Sequence, residues 1–152
     1  MKKLVYHLFL FSMMMSIFGC ASAKQYVPLP DQKVEVEDQN KARVYVLRPS
    51  LIGSAVPMAV KDGNKLIGDT GGGSFLCWER DVGDGQITGK AENESWVKVY
   101  FDKGKRYYIL QRMQMGVLIA RNKMEILSAE EGKKYMEKCK LPKVVPPKQK
   151  AE

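Results

Sequence analysis

The 152-residue chain reads as an all-β protein, a β-sandwich of seven or eight short antiparallel strands with one C-terminal α-helix packed on it. Three observations predict this. Short runs from Ala42 onward alternate apolar with polar side chains and are rich in β-branched and aromatic residues. Glycine- and aspartate-bearing turns such as Asp62-Gly63-Asn64, Val82-Gly83-Asp84-Gly85 and Asp102-Lys103-Gly104-Lys105 punctuate them. Only one stretch, opening at Ser128, carries a helix start signal ahead of an apolar period of 3.6.

The first strand is Ala42-Arg43-Val44-Tyr45-Val46-Leu47, stopped by Arg48-Pro49. Val56 to Lys61 and Lys65 to Asp69 pair across the Asp62-Gly63-Asn64 turn, and Thr70 to Gly73 is a glycine-rich loop. Ser74 to Arg80 follows, then Gln86 to Glu92 beyond the Val82–Gly85 turn. Trp96 to Phe101 alternates cleanly, with Val97, Val99 and Phe101 on one face and Trp96, Lys98 and Tyr100 on the other. Arg106 to Met113 and Lys123 to Leu127 complete the set. Ser128-Ala129-Glu130-Glu131 fits a capping box, and the helix it opens is expected to reach about Lys140, where Leu141-Pro142 stops it.

Outside this domain the chain changes character. Residues 21–41 hold Pro28, Pro30 and a charge-mixed stretch, and read as a tether with a short edge strand near 33–37. About 20 extended residues reach roughly 70 Å. The tail from Pro142 to Glu152, with Pro146-Pro147 and several lysines, reads as extended and disordered.

The start of the chain is a leader. Met1-Lys2-Lys3 is basic, and the apolar run from Leu4 to Phe18 is short for a membrane span but suits a signal-peptide core. Met13-Met14-Met15 and the phenylalanines show no polar helical face. The run ends in Ile17-Phe18-Gly19-Cys20 before the polar Ala21-Ser22-Ala23-Lys24, a junction that resembles a bacterial lipobox, with Phe18 standing where that pattern favours a small residue. The resemblance implies cleavage before Cys20 and its diacylglyceryl modification, with Ala21 directing the protein to the outer membrane. The alternative is an ordinary secretory signal cut near Ala21 or Ala23, with Cys20 incidental.

Removing the leader, with Lys2 and Lys3 and no acid, takes the formal net charge from +8 to +6 and leaves residues 20–152. It also removes His7, the only histidine. Ser-His and Cys-His nucleophile pairs and His-ligated metals are thereby excluded from the mature chain. Residues 20–152 suffice for one core and not for two domains.

A family pattern runs through the domain. The strand Ala42-Arg43-Val44-Tyr45-Val46-Leu47-Arg48-Pro49 is followed by the hairpin Val60-Lys61-Asp62-Gly63 and the cysteine-bearing strand Phe75-Leu76-Cys77-Trp78-Glu79. Gly104-Lys105-Arg106-Tyr107-Tyr108, Glu131-Gly132-Lys133 and Cys139 come later. Over roughly 42–140 this order resembles the bacterial lipoproteins of the DUF2846 family, small β-sandwich domains related in style to PEGA domains. The proline-glycine turn usual there is Val82-Gly83-Asp84-Gly85 here. The family has no established reaction, so the resemblance implies an architecture and an address.

Two cysteines remain after Cys20. In an oxidising compartment Cys77 and Cys139 make an even pair, and a disulfide between them is the expected arrangement. Cys139 shares a helical face with Gly132, Tyr135 and Met136, and Cys77 alternates with Phe75 toward the interior. Closing a loop of that length contributes about 4 kcal/mol. The alternative is two buried free thiols.

Other candidates are weaker. Gly71-Gly72-Gly73-Ser74 lacks the Lys-Ser/Thr pair and following helix of a phosphate cradle. Asp81 with Asp84, and Glu92 with Glu94, lack the alternating acidic loop of a calcium site and read as solvated turn residues. Trp78, Trp96 and Tyr100, with Tyr107 and Tyr108 nearby, offer a candidate aromatic surface, against the plainer reading of core packing.

The resulting expectation is a non-enzymatic outer-membrane lipoprotein, anchored through Cys20 and facing the periplasm, without metal or cofactor and without a role on nucleic acid. It serves as a structural or protein-interaction module with an envelope protein as partner. The competing expectation is a ligand-binding protein that holds a glycan or lipid on its aromatic face.

Overall fold

Period-two alternation places one face of each strand indoors, and the fold follows from how those faces stack. In the structure, a computed structural model, residues 22–115 and 120–146 are described. The leader, Cys20 and the last six residues of the tail lie outside them. The strands are β1 (Lys24–Gln25), β2 (Lys41–Arg48), β3 (Met58–Asp62), β4 (Lys65–Thr70), β5 (Ser74–Asp81), β6 (Gly83–Lys90), β7 (Glu94–Phe101), β8 (Arg106–Met115), β9 (Ala120–Leu127) and β10 (Lys143–Val144). Among the described residues a single helix, α1 (Ala129–Met136), lies between β9 and β10.

The strands form two stacked sheets, in the orders β10-β1-β4-β3-β6-β7 and β5-β2-β8-β9. The all-β sandwich with one late helix is the architecture that alternation and turn chemistry predict. The sheets are mixed: β2 runs parallel to β8 and β1 parallel to β10, while the other pairings are antiparallel. A parallel pair needs a long crossover, and the chain between β2 and β8 supplies one by building β3 to β7 on the way.

Between the sheets lies the main core, with Val44, Val46, Val60, Ile67, Leu76, Trp78, Ile87, Phe101 and Ile109. A second apolar layer, of Tyr45, Leu47, Phe75, Cys77 and Tyr108, sits on the other face of the β5-β2-β8-β9 sheet. Tyr135, Met136 and Cys139, from α1 and the segment after it, pack over that layer. β2 is therefore covered on both faces and is buried from Ala42 to Arg48. Gly132 permits the close approach of the helix, since a Cβ there would lie 2.1 Å from Tyr108 Cγ.

Local chemistry matches the elements. Gly63, at φ 56°, supplies the left-handed residue of the β3–β4 hairpin. Ser128 caps α1, its hydroxyl accepting from the Glu131 amide while the Glu131 carboxylate accepts from the Ser128 amide. α1 ends at Met136, short of the expected Lys140, with Glu137 as its C-cap. The chain then turns so that the Lys140 amide donates to the Gly73 carbonyl.

Three expectations about the flanks are corrected. Residues 22–41 are part of the domain and not a tether: Ala23, Gln25, Val27 and Val36 are buried, and Lys24–Gln25 is a strand. The Gln25 amide group locks this segment down, donating to the Cys77 carbonyl at 2.7 Å while its oxygen accepts from the Cys77 amide at 2.9 Å. The strand expected near 33–37 is a series of turns, because the Arg43 guanidinium captures the carbonyls of Asp31 and Val34 and leaves them no ladder to join. The start of the tail is likewise ordered: the Lys143 and Val145 amides donate to the Ala23 and Gln25 carbonyls, which closes β10 onto β1.

Candidate functional site

Alternation along β7 carries Trp96, Lys98 and Tyr100 to the solvent face of an edge strand. Their exposures separate the three candidate aromatics: Trp96 is 54% and Tyr100 62% exposed, whereas Trp78 is 4% exposed. Trp78 belongs to the core, its indole N–H donating to an Asp62 carboxylate oxygen at 2.9 Å. Its place in the expected surface is thus corrected. It sits on the inward face of β5, opposite Val44, and the neighbouring apolar layer claims it.

The remaining strip is continuous. The Lys98 ammonium lies 5.4 Å from the Trp96 ring centroid, within cation–π range. On the adjacent β6, register places Thr88 beside Trp96, Gln86 beside Lys98 and Asp84 beside Tyr100. Asp84, Gly85, Gln86 and Lys98 line a shallow depression of about 360 Å³. Aromatic faces flank a row of hydrogen-bonding groups, a surface chemistry suited to a polar ligand with apolar faces or to a protein partner.

A second depression, of about 320 Å³, lies between residues 27–30 and the ends of β2 and β5, and is lined in part by Lys41, Lys65, Trp78 and Glu79. Its carboxylates are already engaged. Glu79 pairs with the fully buried Arg43 at 2.9 Å, and a Glu37 carboxylate oxygen accepts from the Asp31 amide; in the neighbouring depression Asp62 pairs with Arg80 at 2.6 Å. Burial works to raise the Glu79 pKa, but the amide N–H groups of Glu37 and Asp38 and the Arg43 guanidinium outweigh it, so the carboxyl is held below its ordinary value. This constellation ties residues 31–38 to β2 and β5.

The cysteines are not joined. Cys77 and Cys139 are both free thiols. Cys77 faces Tyr45 across β5 and β2, whereas the Cys139 thiol contacts the backbone of Arg48 near the Ser74–Lys140 bridge. Tyr45 and Arg48 are three residues apart on β2, about 10 Å, so the two thiols stand against different points of that strand. Burial pushes both thiols up to about 11. Neither is poised as a nucleophile. Among the described residues no group of three or more His, Cys, Asp or Glu has metal-binding geometry.

Arg48 stands out among residues that sequence reasoning passed over as a strand end. It is fully buried, and desolvation lowers its pKa. Its guanidinium donates to the carbonyls of Val56 at 2.6 Å, Gly53 at 2.8 Å and Thr70 at 3.2 Å, bracing the loop that links β2 to β3. That loop carries Leu51 and Ile52 outward. An adjacent aliphatic pair between Ser50 and Gly53 was the legible signal.

The geometry defines a class: a two-sheet β-sandwich with a helix over one outer face and an exposed aromatic edge strand. Beyond that class, the chain is similar to an uncharacterized protein of Haemophilus influenzae, 29% identical over 141 residues, spanning 83% of this chain and 82% of the relative. No family model matches the chain, and no solved structure matches it.

Proposed function

We propose that this protein is a non-enzymatic lipoprotein of the outer membrane, anchored through Cys20 and facing the periplasm, with the sandwich serving as a structural or protein-interaction module. The observation that carries the reading is the Ile17-Phe18-Gly19-Cys20 junction at the end of a short apolar leader with a basic start. Two or more acyl chains on Cys20 hold a polar domain stably at a bilayer, where one chain gives marginal binding. The engaged carboxylates and raised thiols support a binding role over a catalytic one. Radiolabelled palmitate supplied to cells is expected to enter the wild-type protein and not Cys20→Ala. Equal labelling of the two overturns the anchor.

A second reading, that the domain holds a glycan or lipid, draws on the Trp96–Lys98–Tyr100 strip. Trp96 and Tyr100 are four residues apart on one face, about 13 Å, a span that covers more than one sugar ring. Peptidoglycan fragments are then expected to quench tryptophan emission, with the quenching lost in Trp96→Ala. Quenching that persists in Trp96→Ala places any ligand elsewhere. No quenching leaves the protein-interaction reading in force.

A further inference from the structure

The corrected N-terminal segment puts the membrane close to one particular end of the sandwich. Ala23 is fully buried and only three residues after Cys20, a span of at most about 10 Å. The end it enters is fixed by register. Lys24 lies opposite Asp69 and Lys143, next to the Thr70 end of β4, and Met58, Ser74 and Lys140 meet at the same end. β2 and β8 run parallel, so Arg48 and Met115 both finish there.

This end is apolar. Leu51 is 69% exposed, Ile52 73%, Met115 90% and Leu141 59%. The turns at the opposite end expose Val34, Leu66 and Val82, each less than half. The Leu51–Ile52 loop lies against both the Gly73–Lys140 junction and β8. A Cβ on Gly73 would lie 2.8 Å from Leu51 Cδ2, Gly73 receives the Lys140 amide, and Lys143 donates to Ala23. A Cβ on Gly53 would lie 2.1 Å from Met113 Sδ, which brings β8 against the Leu51–Ile52 loop. Exposed Lys24, Lys140 and Lys143 stand beside the patch.

Nor is the exposure a matter of slack chain. Arg48 clamps the loop from inside through the Gly53 and Val56 carbonyls, and Gly53 takes a φ of 65° that suits glycine. A buried arginine with no carboxylate partner among the described residues is an expensive device for presenting two aliphatic side chains to water. The cost has a purpose if those side chains enter lipid.

We propose that this end of the sandwich is a membrane seat: Leu51, Ile52, Met115 and Leu141 insert into the interfacial region of the phospholipid bilayer beside the acylated Cys20, with Lys24, Lys140 and Lys143 against anionic headgroups. The inference rests on the anchor reading above. It turns a single-point attachment into a fixed pose, because apolar burial and headgroup attraction add to the acyl chains. In that pose β7, five strands from the β10 edge, presents its aromatic strip away from the attachment point.

The test uses the full protein purified from membranes and reconstituted into vesicles of phosphatidylethanolamine and phosphatidylglycerol with brominated acyl chains. Trp96→Phe gives a background in which only the buried Trp78 emits. Ile52→Trp, and separately Met115→Trp, are expected to lose about twofold in emission when brominated lipid replaces plain lipid, the depth an interfacial helix or loop reaches. Val82→Trp, at the opposite end, is expected to match the background. Equal quenching at Ile52, Met115 and Val82 overturns the seat. Intact mass of the same preparation reads the anchor separately: a diacylglyceryl adduct on Cys20 with equal quenching rejects the seat alone, and a bare thiol rejects both.

Discussion

Arg43 and Glu79 show how a single ion pair is used to fold a segment that the alternation of the sequence cannot place. Arg43 is fully buried, spends two donor interactions on the Asp31 and Val34 carbonyls, and meets Glu79 with the rest. Arg43→Met leaves Glu79 without its cation and the two carbonyls without their donor, and is expected to lower stability by about 3–5 kcal/mol in urea denaturation. The same pair sets an acid limit. The folded-state pKa of Glu79 lies below the ordinary 4.5, so its stabilising contribution is complete above that value and is lost as pH falls through the lower folded value. Melting temperature is expected to drop in wild type below about pH 4.5 and to drop less steeply in Glu79→Gln. Parallel curves for the two proteins reject this role.

At the level of elements, β5 and the segment after α1 carry two free thiols to different points of β2. Cys77 and Cys139 contribute to one apolar layer, with Cys77 opposite Tyr45 and the Cys139 thiol against the backbone of Arg48. Protein kept free of reductant is therefore expected to show both thiols on denaturation in a colorimetric assay, and identical mobility on reducing and non-reducing gels. A faster non-reduced band, abolished in Cys77→Ser, rejects the assigned register. α1 illustrates the converse case, in which local chemistry was sufficient. Ser128 and Glu131 are three residues apart and cap the helix without help from elsewhere. Its C-terminal end depended instead on Lys140 being drawn to Gly73.

Across the whole molecule, both flanks of the described residues fasten the same sheet edge, since β1 is sandwiched between β4 and β10. Ending the chain at Lys140 removes the Lys143 and Val145 donors to Ala23 and Gln25 and is expected to cost about 1–3 kcal/mol. An unchanged denaturation midpoint shows that β10 is dispensable. The sandwich, its strands and its capped helix were legible in the sequence because each rests on spacing within a few residues: alternation in Glu94–Phe101, the Asp62-Gly63-Asn64 turn, the Ser128–Glu131 box. Alternation grouped Trp96 with Tyr100 on one face and left open whether that face was core or surface; the structure decides that it is exposed. Contacts between distant residues were not legible. Trp78 and Trp96 are the same residue type on similar strands, and only the second sheet decides that one is core and the other surface. The proline- and charge-rich stretch 21–41 has the composition of a linker, yet Gln25 and Arg43 hold part of it to the sandwich through groups more than 50 and about 10 residues away. Local periodicity determined which elements form, whereas the burial of hydrogen-bonding groups across long sequence separations decided where the ends of the chain lie and which side chains remain in water.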